Sequence, residues 1–535
     1  VPGTGDQTDI PLSWWHGATI YQIYPRSFQD TNGDGIGDLE GVRRRLPYLA
    51  GLGIDAVWIS PFYPSPMADF GYDVADYCGV DPIFGTLEDF DALVGDAHRL
   101  GLRIILDFVP NHTSARHPWF AESRTGRASA KRDWYIWREP APDGGPPNNW
   151  LSHFGGSGWE RDAASGQYYY HAYLKAQPDL NWRNPAVRAA MMDALRFWLQ
   201  RGVDGFRVDV MWHLMKDAEF RDDPPNPAFQ PGQPAIERHL PIHSTDRPEV
   251  HQVVREMRGT LSAYGDKLLI GEIYLPMERV VTYYGERLSG AHLPFNFQLI
   301  AAPWDARHLA SLIEAYERAL PPGAWPNWVL GNHDRSRVAS RVGAAQARVA
   351  SMLLLTLRGT PTLYYGDELG MVDVPVPPEA AQDPWEKNEP GIGVGRDPVR
   401  TPMRWTGAPD AGFTTGTPWL PIGGELAMNV ADESADPKSL LTLYRRLLAL
   451  RRATPALSLG SYEGIPTSGD ILAFHRRHPD GDVVVALNLG HQPATLDAST
   501  GARAILLSTH LDRVGEVPAG PLHLRPDEGI IFRLA

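Results

Sequence analysis

Gly202-Val203-Asp204-Gly205-Phe206-Arg207-Val208-Asp209 reads as a buried strand that ends in a polar tip. Val203, Phe206 and Val208 are apolar, and Gly202 closes the helix before them. Side chains alternate along a strand, so Arg207 and Asp209 project from one face. A carboxylate held beside a guanidinium stays ionised at neutral pH. Fixed at a strand end it is a candidate nucleophile; the alternative is a structural Asp–Arg pair in a sheet.

Outward from this stretch, strand and helix patterns alternate. The other expected strands are Thr19–Tyr24, Ala56–Ser60, Arg103–Val109, Leu268–Ile273, Pro294–Gln298, Asn327–Asn332 and Thr362–Gly366. Between them, Leu39–Ala50 and Thr86–Leu100 are expected to be helical, the second opened by Thr86 with Asp89 three residues on. Asn184 and Pro185 open a helix whose Val187, Met191, Leu195, Trp198 and Leu199 make one apolar stripe. Asp436-Pro437 opens a last helix running to Arg451. Eight strands alternating with helices predict an α/β chain folded as a (β/α)8 TIM barrel.

Two connections are too long for plain barrel loops. One, rich in Pro, Gly, Trp and Tyr, follows the third strand; the other surrounds Arg221–Pro241. After about Ala456 the pattern changes to short strands at Ile471–His475, Val483–Leu487, Ala504–Ser508, Leu522–Arg525 and Ile530–Leu534. Pro479-Asp480-Gly481-Asp482 is a hairpin-turn signal between two of them. The expected organisation is a barrel over residues 1–111 and 178–456, an inserted domain over 112–177, and a C-terminal antiparallel β-sandwich over 457–535.

The 535 residues are 43% hydrophobic and carry a net charge of −14, which argues against a nucleic acid or an anionic membrane surface as partner. Cys78 is the single cysteine, so no internal disulfide framework exists, and it reads as a small buried residue. Neither a signal-peptide pattern nor a membrane-length apolar run is visible, and the expectation is a cytoplasmic monomer or homodimer. The 17 Trp and 20 Tyr suit sugar rings as well as a large core.

In such barrels chemistry gathers at the C-terminal strand ends. The third strand leads into Asp107, Asn111 and His112, the fourth gives Arg207 and Asp209, the fifth Glu272, and the seventh His333 and Asp334. Packing explains one such polar end but not four, because buried charge costs several kcal/mol unless matched. A metal-dependent hydrolase would need paired histidines near the carboxylates, and here they are scattered singly. Glycoside hydrolysis needs a nucleophile and a general acid, for which Asp209 beside Arg207 and a partly buried Glu272 are suited.

Four segments carry a resemblance: Asp107-Phe-Val-Pro-Asn111-His112, Gly205-Phe-Arg207-Val-Asp209, Gly271-Glu272-Ile273 and Gly331-Asn-His333-Asp334. Gln177-Pro-Asp-Leu-Asn181 and Arg400-Thr-Pro-Met-Arg-Trp405 add two more. Together they resemble the α-amylase family of glycoside hydrolases, and within it the α-glucosidase and oligo-1,6-glucosidase group, over the full length. The resemblance implies Asp209 as nucleophile, Glu272 as general acid/base and Asp334 as the residue that binds the 2- and 3-hydroxyls. It implies that His112 and His333 hold hydroxyls, Arg207 orients Asp209, Tyr72 stacks on the ring, and Asp73 and Arg400 close a blind pocket. Phe154 either lines that pocket or packs in the core.

The implied activity is exo-acting, retaining hydrolysis of short α-glucosides with transglucosylation alongside; maltose, isomaltose, sucrose and trehalose all stay open. Val210 after the nucleophile accompanies α-1,6 cleavage in relatives. A trehalose- or isomaltulose-forming enzyme of the same family is the main alternative, and a catalytically dead sugar-binding subunit a remote one.

Asp30, Asn32, Asp34, Ile36 and Asp38 lie at alternating positions of a Gly-rich loop after the first strand. The four of these whose side chains bear oxygen predict, at that spacing, a structural Ca²⁺ site, with Mg²⁺ in its place as a variant. Gly41 stands where a helix-loop-helix calcium loop has Glu, and a run of Asx turns is the alternative.

Overall fold

The computed structural model describes residues 12–424, 426–496, 502–516 and 520–534. Its barrel strands are Ile20–Ile23, Ala56–Ile59, Arg103–Phe108, Gly205–Val208, Leu268–Gly271, Leu293–Pro294, Asn327–Val329 and Thr360–Tyr364. Neighbours pair in parallel around one sheet. A bridge between Asn296 and Trp328 joins its two ends, so the barrel closes.

Several expected boundaries move, and three have a local cause. The sixth strand is Leu293–Pro294, because Asn296 Oδ1 accepts the Gln298 N–H at 3.1 Å and turns the chain into the helix Gln298–Ala301. The eighth begins at Thr360, where it pairs with Asn327, and it stops before Gly366, which is left-handed at φ 85°. The last barrel helix is Leu440–Ala453, since the Ser439 hydroxyl caps Thr442 N–H at 3.0 Å while Asp436 ends a separate helix, Val430–Ala435.

Pleating sorts the barrel residues into layers. Ile20, Trp58, Ile105, Ile270, Phe295 and Val329 pack as one interior cluster. One pleat further toward the strand ends come Gln22, Asp107 and Arg207. The alternate residues Phe206 and Val208 face outward into the helix layer. Gly205 has no room for a side chain: a Cβ there would fall 2.6 Å from the Leu268 carbonyl oxygen. The apolar floor and polar ceiling thus follow from the period-two pattern already legible in Arg103–Phe108 and Gly205–Val208.

Within the segment after the third strand, Trp137–Arg138, Tyr168–Tyr170 and Trp159–Arg161 form a three-stranded antiparallel sheet. The C-terminal sheet orders Ser461–Ile465, Ile471–Arg477, Val483–Asn488, Gly529–Leu534 and Ala502–Ser508, with a smaller pair Ala494–Leu496 and Leu522–Leu524. The Pro479–Asp482 turn joins antiparallel partners as expected. Ser461–Ile465 and Ala494–Leu496 escape sequence patterning, being half-exposed, short and free of strict alternation.

Candidate active site

At the strand ends lies a cavity of about 250 Å³, lined among others by Tyr72, His112, Phe154, Asp209, Glu272, His333 and Asp334. Its size is below the ~300–1,000 Å³ of drug-sized ligand pockets, which suits a small ring better than a polymer. A wider cleft of about 710 Å³ runs past Arg132, Asn181 and Lys216. No pair of carboxylates lines it, so the reactive groups single out the smaller cavity.

Arg207 is the hub. Its Nη1 donates to Asp107 Oδ1 at 2.8 Å and to Asp209 Oδ1 at 2.7 Å. Its Nη2 lies 2.7 Å from Glu272 Oε1 without a hydrogen-bonding angle. The Trp58 indole and the Tyr72 hydroxyl both donate to Asp107 Oδ2, at 3.1 and 3.0 Å. Val210 follows Asp209 in the left-handed region at φ 37°, a strained place for a β-branched residue. That turn aims the Val210 N–H at Glu272 Oε2, 2.8 Å away. The backbone after one carboxylate thereby positions the other.

Asp334 faces a second cationic set. Arg400 Nη2 donates to its Oδ1 at 2.9 Å, and Arg396 Nη1 is 3.5 Å away. Gln22 donates to His333 Nδ1 at 2.7 Å, which leaves the ring proton on Nε2, 3.5 Å from Asp334 Oδ2. Tyr72 stacks on the His333 ring with centroids 5.3 Å and planes 5° apart. His112 Nε2 is held by the Tyr72 carbonyl at 3.0 Å. Phe154 lines the cavity, with the Arg396 guanidinium 4.8 Å from its ring centre.

Two expected pocket residues are displaced. Asp73 does not reach the cavity: it is fully buried, accepting the Ser65 hydroxyl and the Ala68 and Asp69 N–H groups at 2.8, 2.9 and 3.0 Å. Asp69 takes its place on the cavity wall, paired with Arg396 at 2.8 Å. Arg400 is likewise fully buried behind Asp334, and Arg396, with Arg335, lines the cavity in its stead. Each error is a choice between two like residues four apart, Asp69 or Asp73 and Arg396 or Arg400, which only the tertiary pairing resolves. Trp385, Tyr173, His153, His213 and Tyr274 also line the cavity and had no motif to announce them.

Burial dominates the electrostatics. It raises Asp209 well above the ordinary carboxylate range, against the pull of Arg207, with Glu272 and Asp107 pushing the same way. Burial raises Glu272 as well, again opposed by Arg207. Arg207 therefore does not act on Asp209 alone: burial first, and then the neighbouring Glu272 and Asp107, oppose its pull. Asp334 is different. Burial would raise it, but His333, Arg396, Arg400 and Arg207 together hold it below the usual range. The cavity therefore sets two carboxyls whose titration is raised by burial against one, Asp334, that is held below the usual range.

The Asp30–Asp38 loop is internally satisfied. Asp30 accepts the Asn32, Gly33 and Gly35 N–H groups at 2.9, 2.8 and 2.9 Å, and also the Thr414 hydroxyl. Asn32 and Asp34 accept the N–H groups of Asp34 and Ile36. Asp38 caps the helix Leu39–Leu52 at Gly41 and accepts from Thr31. These are Asx turns and a helix cap. Among the described residues no three His, Cys, Asp or Glu side chains converge closely enough to hold a metal. Among them, too, no helix is long and apolar enough to cross a membrane.

Comparison with known proteins places this geometry in company. The family model described as alpha amylase, catalytic domain matches residues 22–460. A probable alpha-glucosidase of Rhizobium meliloti (strain 1021) is 46% identical over 504 residues, 90% of either chain. An oligo-1,6-glucosidase of Heyndrickxia coagulans is 38% identical over 541 residues, 93% of this chain and 96% of that one. Among solved structures, the alpha-glucosyl transfer enzyme XgtA superposes with a TM-score of 0.94 at 41% identity, covering 98% of this chain and all 100% of its own. A trehalulose synthase does so with 0.91 at 36% identity and the same coverage.

Proposed function

From the premise that the chain belongs to the α-amylase family and is an enzyme, we propose that it is an exo-acting, retaining α-glucosidase acting on short α-glucosides. The observation that carries the mechanism is the pair Asp209 and Glu272 held at 2.7 Å on adjacent nitrogens of the Arg207 guanidinium. Retaining hydrolysis needs two neighbouring carboxyl groups, one bare and one protonated. Burial raises Glu272, which suits it to carry the proton that serves as the acid. With it on Glu272, the glycosidic oxygen is protonated as Asp209 attacks the anomeric carbon. The glycosidic bond breaks and a glucosyl–Asp209 ester forms. Glu272, now a carboxylate, takes a proton from water, whose oxygen displaces Asp209.

Asp334, kept anionic by its arginines, accepts from the 2- and 3-hydroxyls and steadies developing positive charge on the ring. The Asp69–Arg396 ion pair, with Phe154 beside it, closes the far end of the cavity. That closure supports removal of one terminal glucose at a time. Intact-mass analysis of Glu272→Gln incubated with p-nitrophenyl α-glucoside tests the scheme. A single anhydroglucose adduct that maps to Asp209 supports it, and an adduct elsewhere refutes it.

A second reading has its own support, the likeness to a glucosyl-transfer enzyme and a trehalulose synthase. There a sugar hydroxyl replaces water in the second step. A structural calcium, or magnesium in its place, on Asp30–Asp38 is also proposed from the oxygen spacing, against the Asx turns described above. Thermal unfolding with EDTA decides it: a lowered Tm supports the cation, an unchanged Tm the turns alone.

A further inference from the structure

The cleft of about 710 Å³ that runs past Arg132 draws its walls from the inserted segment and from the chain after the fourth barrel strand. Among the described residues, five cationic side chains line it against one carboxylate, Asp133, in a chain whose net charge is −14. Three of the five are neutralised: Arg127 by Glu139 at 2.7 Å, Arg183 by Glu249 at 2.9 Å and Lys216 by Asp179 at 2.5 Å. Arg132 and Arg138 are not, among the described residues. Arg132 donates to neutral acceptors, the Ser123 carbonyl, Ser165 Oγ and Gln167 Oε1. Arg138 donates to the Trp137 carbonyl at 3.2 Å. Stacking orders both guanidiniums, 3.4 Å from the Trp137 ring centre for Arg132 and 3.7 Å from that of Phe220 for Arg138. Burial lowers both from the usual guanidinium value, the direction expected of cations without a close counter-ion. Asp133 pulls Arg138 the other way, but its carboxylate already accepts from the Asn181 and Asn184 amides, at 3.1 and 3.0 Å.

We infer that this cleft binds a phosphate monoester of a small hydroxylated molecule, a sugar phosphate in class, with its phosphate against Arg132 and Arg138. Guanidinium forks match phosphate oxygens, and a dianion answers two unneutralised cations where a carboxylate answers one. Both guanidiniums are held before any ligand arrives, so little side-chain freedom is lost on binding. The cleft has room for more than the phosphate: at 710 Å³ against 250 Å³ for the active cavity, it falls within the ~300–1,000 Å³ of small-molecule sites. The Asn181 and Gln167 amides on its walls suit hydroxyl groups. The active cavity, walled by Asp209, Glu272 and Asp334, disfavours the same anion. The inference does not depend on the reaction assigned to that cavity.

Isothermal titration of the full chain with glucose 6-phosphate, and separately with inorganic phosphate, tests this. The expected result is saturable binding of glucose 6-phosphate that weakens with added salt and is tighter than that of inorganic phosphate. Arg138→Gln, at an exposed position, should weaken it about tenfold or more, since charge-assisted hydrogen bonds are lost. Asp133→Asn removes the carboxylate in the cleft and should tighten binding, a gain that misfolding does not produce. Inorganic phosphate binding as tightly as the ester overturns the sugar-phosphate assignment. Binding that neither substitution changes, or no saturable binding of either phosphate, overturns the site.

Discussion

Glu272 and Val210 carry the clearest residue-scale predictions. Glu272→Gln removes the proton donor, so kcat/KM on maltose should fall about 10²–10⁴-fold. The loss on p-nitrophenyl α-glucoside should be much smaller in the glycosylation step, because that leaving group departs without a proton. Equal losses on both would contradict the acid role. Because burial raises both Asp209 and Glu272, the acidic limb of the kcat/KM–pH profile should lie above the ~3.9–4.3 of ordinary carboxylates. Steady-state rates across pH check this. Val210→Thr exchanges a methyl for a hydroxyl on the cavity wall, and should move the isomaltose-to-maltose preference by ~1–3 kcal/mol toward maltose. Arg207, Asp209 and Glu272 were legible because each lies at a strand's end in a short, distinctive segment, and Asp334 because it closes the Gly331–Asp334 segment after the seventh strand. Asp69 and Arg396 were not, because their roles come from an ion pair spanning most of the chain, and local spacing favours neither over Asp73 or Arg400.

The joint between barrel and C-terminal domain turns on the end of the helix Val338–Thr356. Arg451 donates to the carbonyls of Leu355, Leu457 and Gly359 at 3.0, 2.9 and 2.6 Å. Arg476, from the C-terminal sheet, donates to Thr356, Leu457 and Gly460 carbonyls nearby. Helix ends leave carbonyls without intrahelical partners, and these two buried guanidiniums supply them. Burial pushes Arg451 down to about 10, so it is still charged at neutral pH. Arg451→Met should destabilise the protein by at least ~2 kcal/mol, since each orphaned buried carbonyl costs about 1–3. Urea unfolding measures it, and a neutral result would contradict the capping role. Most elements could be anticipated here because helices carried caps and apolar stripes. The sixth strand was expected at Pro294–Gln298, but its bounds could not be read: two residues and one bridge close the barrel, and periodicity needs a longer run.

For the whole molecule, buried carboxylates outside the cavity tie stability to pH. Asp367 is pushed up to about 7 by burial, with Arg337 opposing. The native state therefore binds this proton more tightly than the unfolded chain, where Asp titrates near ~3.9. Its contribution is fully present below about pH 4 and is lost as pH rises toward 7. Asp367→Asn should thus gain stability relative to wild type between pH 5 and pH 8, read as a growing difference in Tm. A difference that shrinks with pH would reverse the assignment. Barrel, inserted domain and C-terminal β domain were all expected from the alternation of strand and helix patterns and its change after about Ala456. The central claim is that this frame holds Asp209 and Glu272 for two successive displacements at one carbon. Proton NMR of p-nitrophenyl α-glucoside hydrolysis, recorded before mutarotation, tests it most directly. Retention predicts α-glucose as the first product; β-glucose appearing first would contradict the assignment of Asp209 as nucleophile.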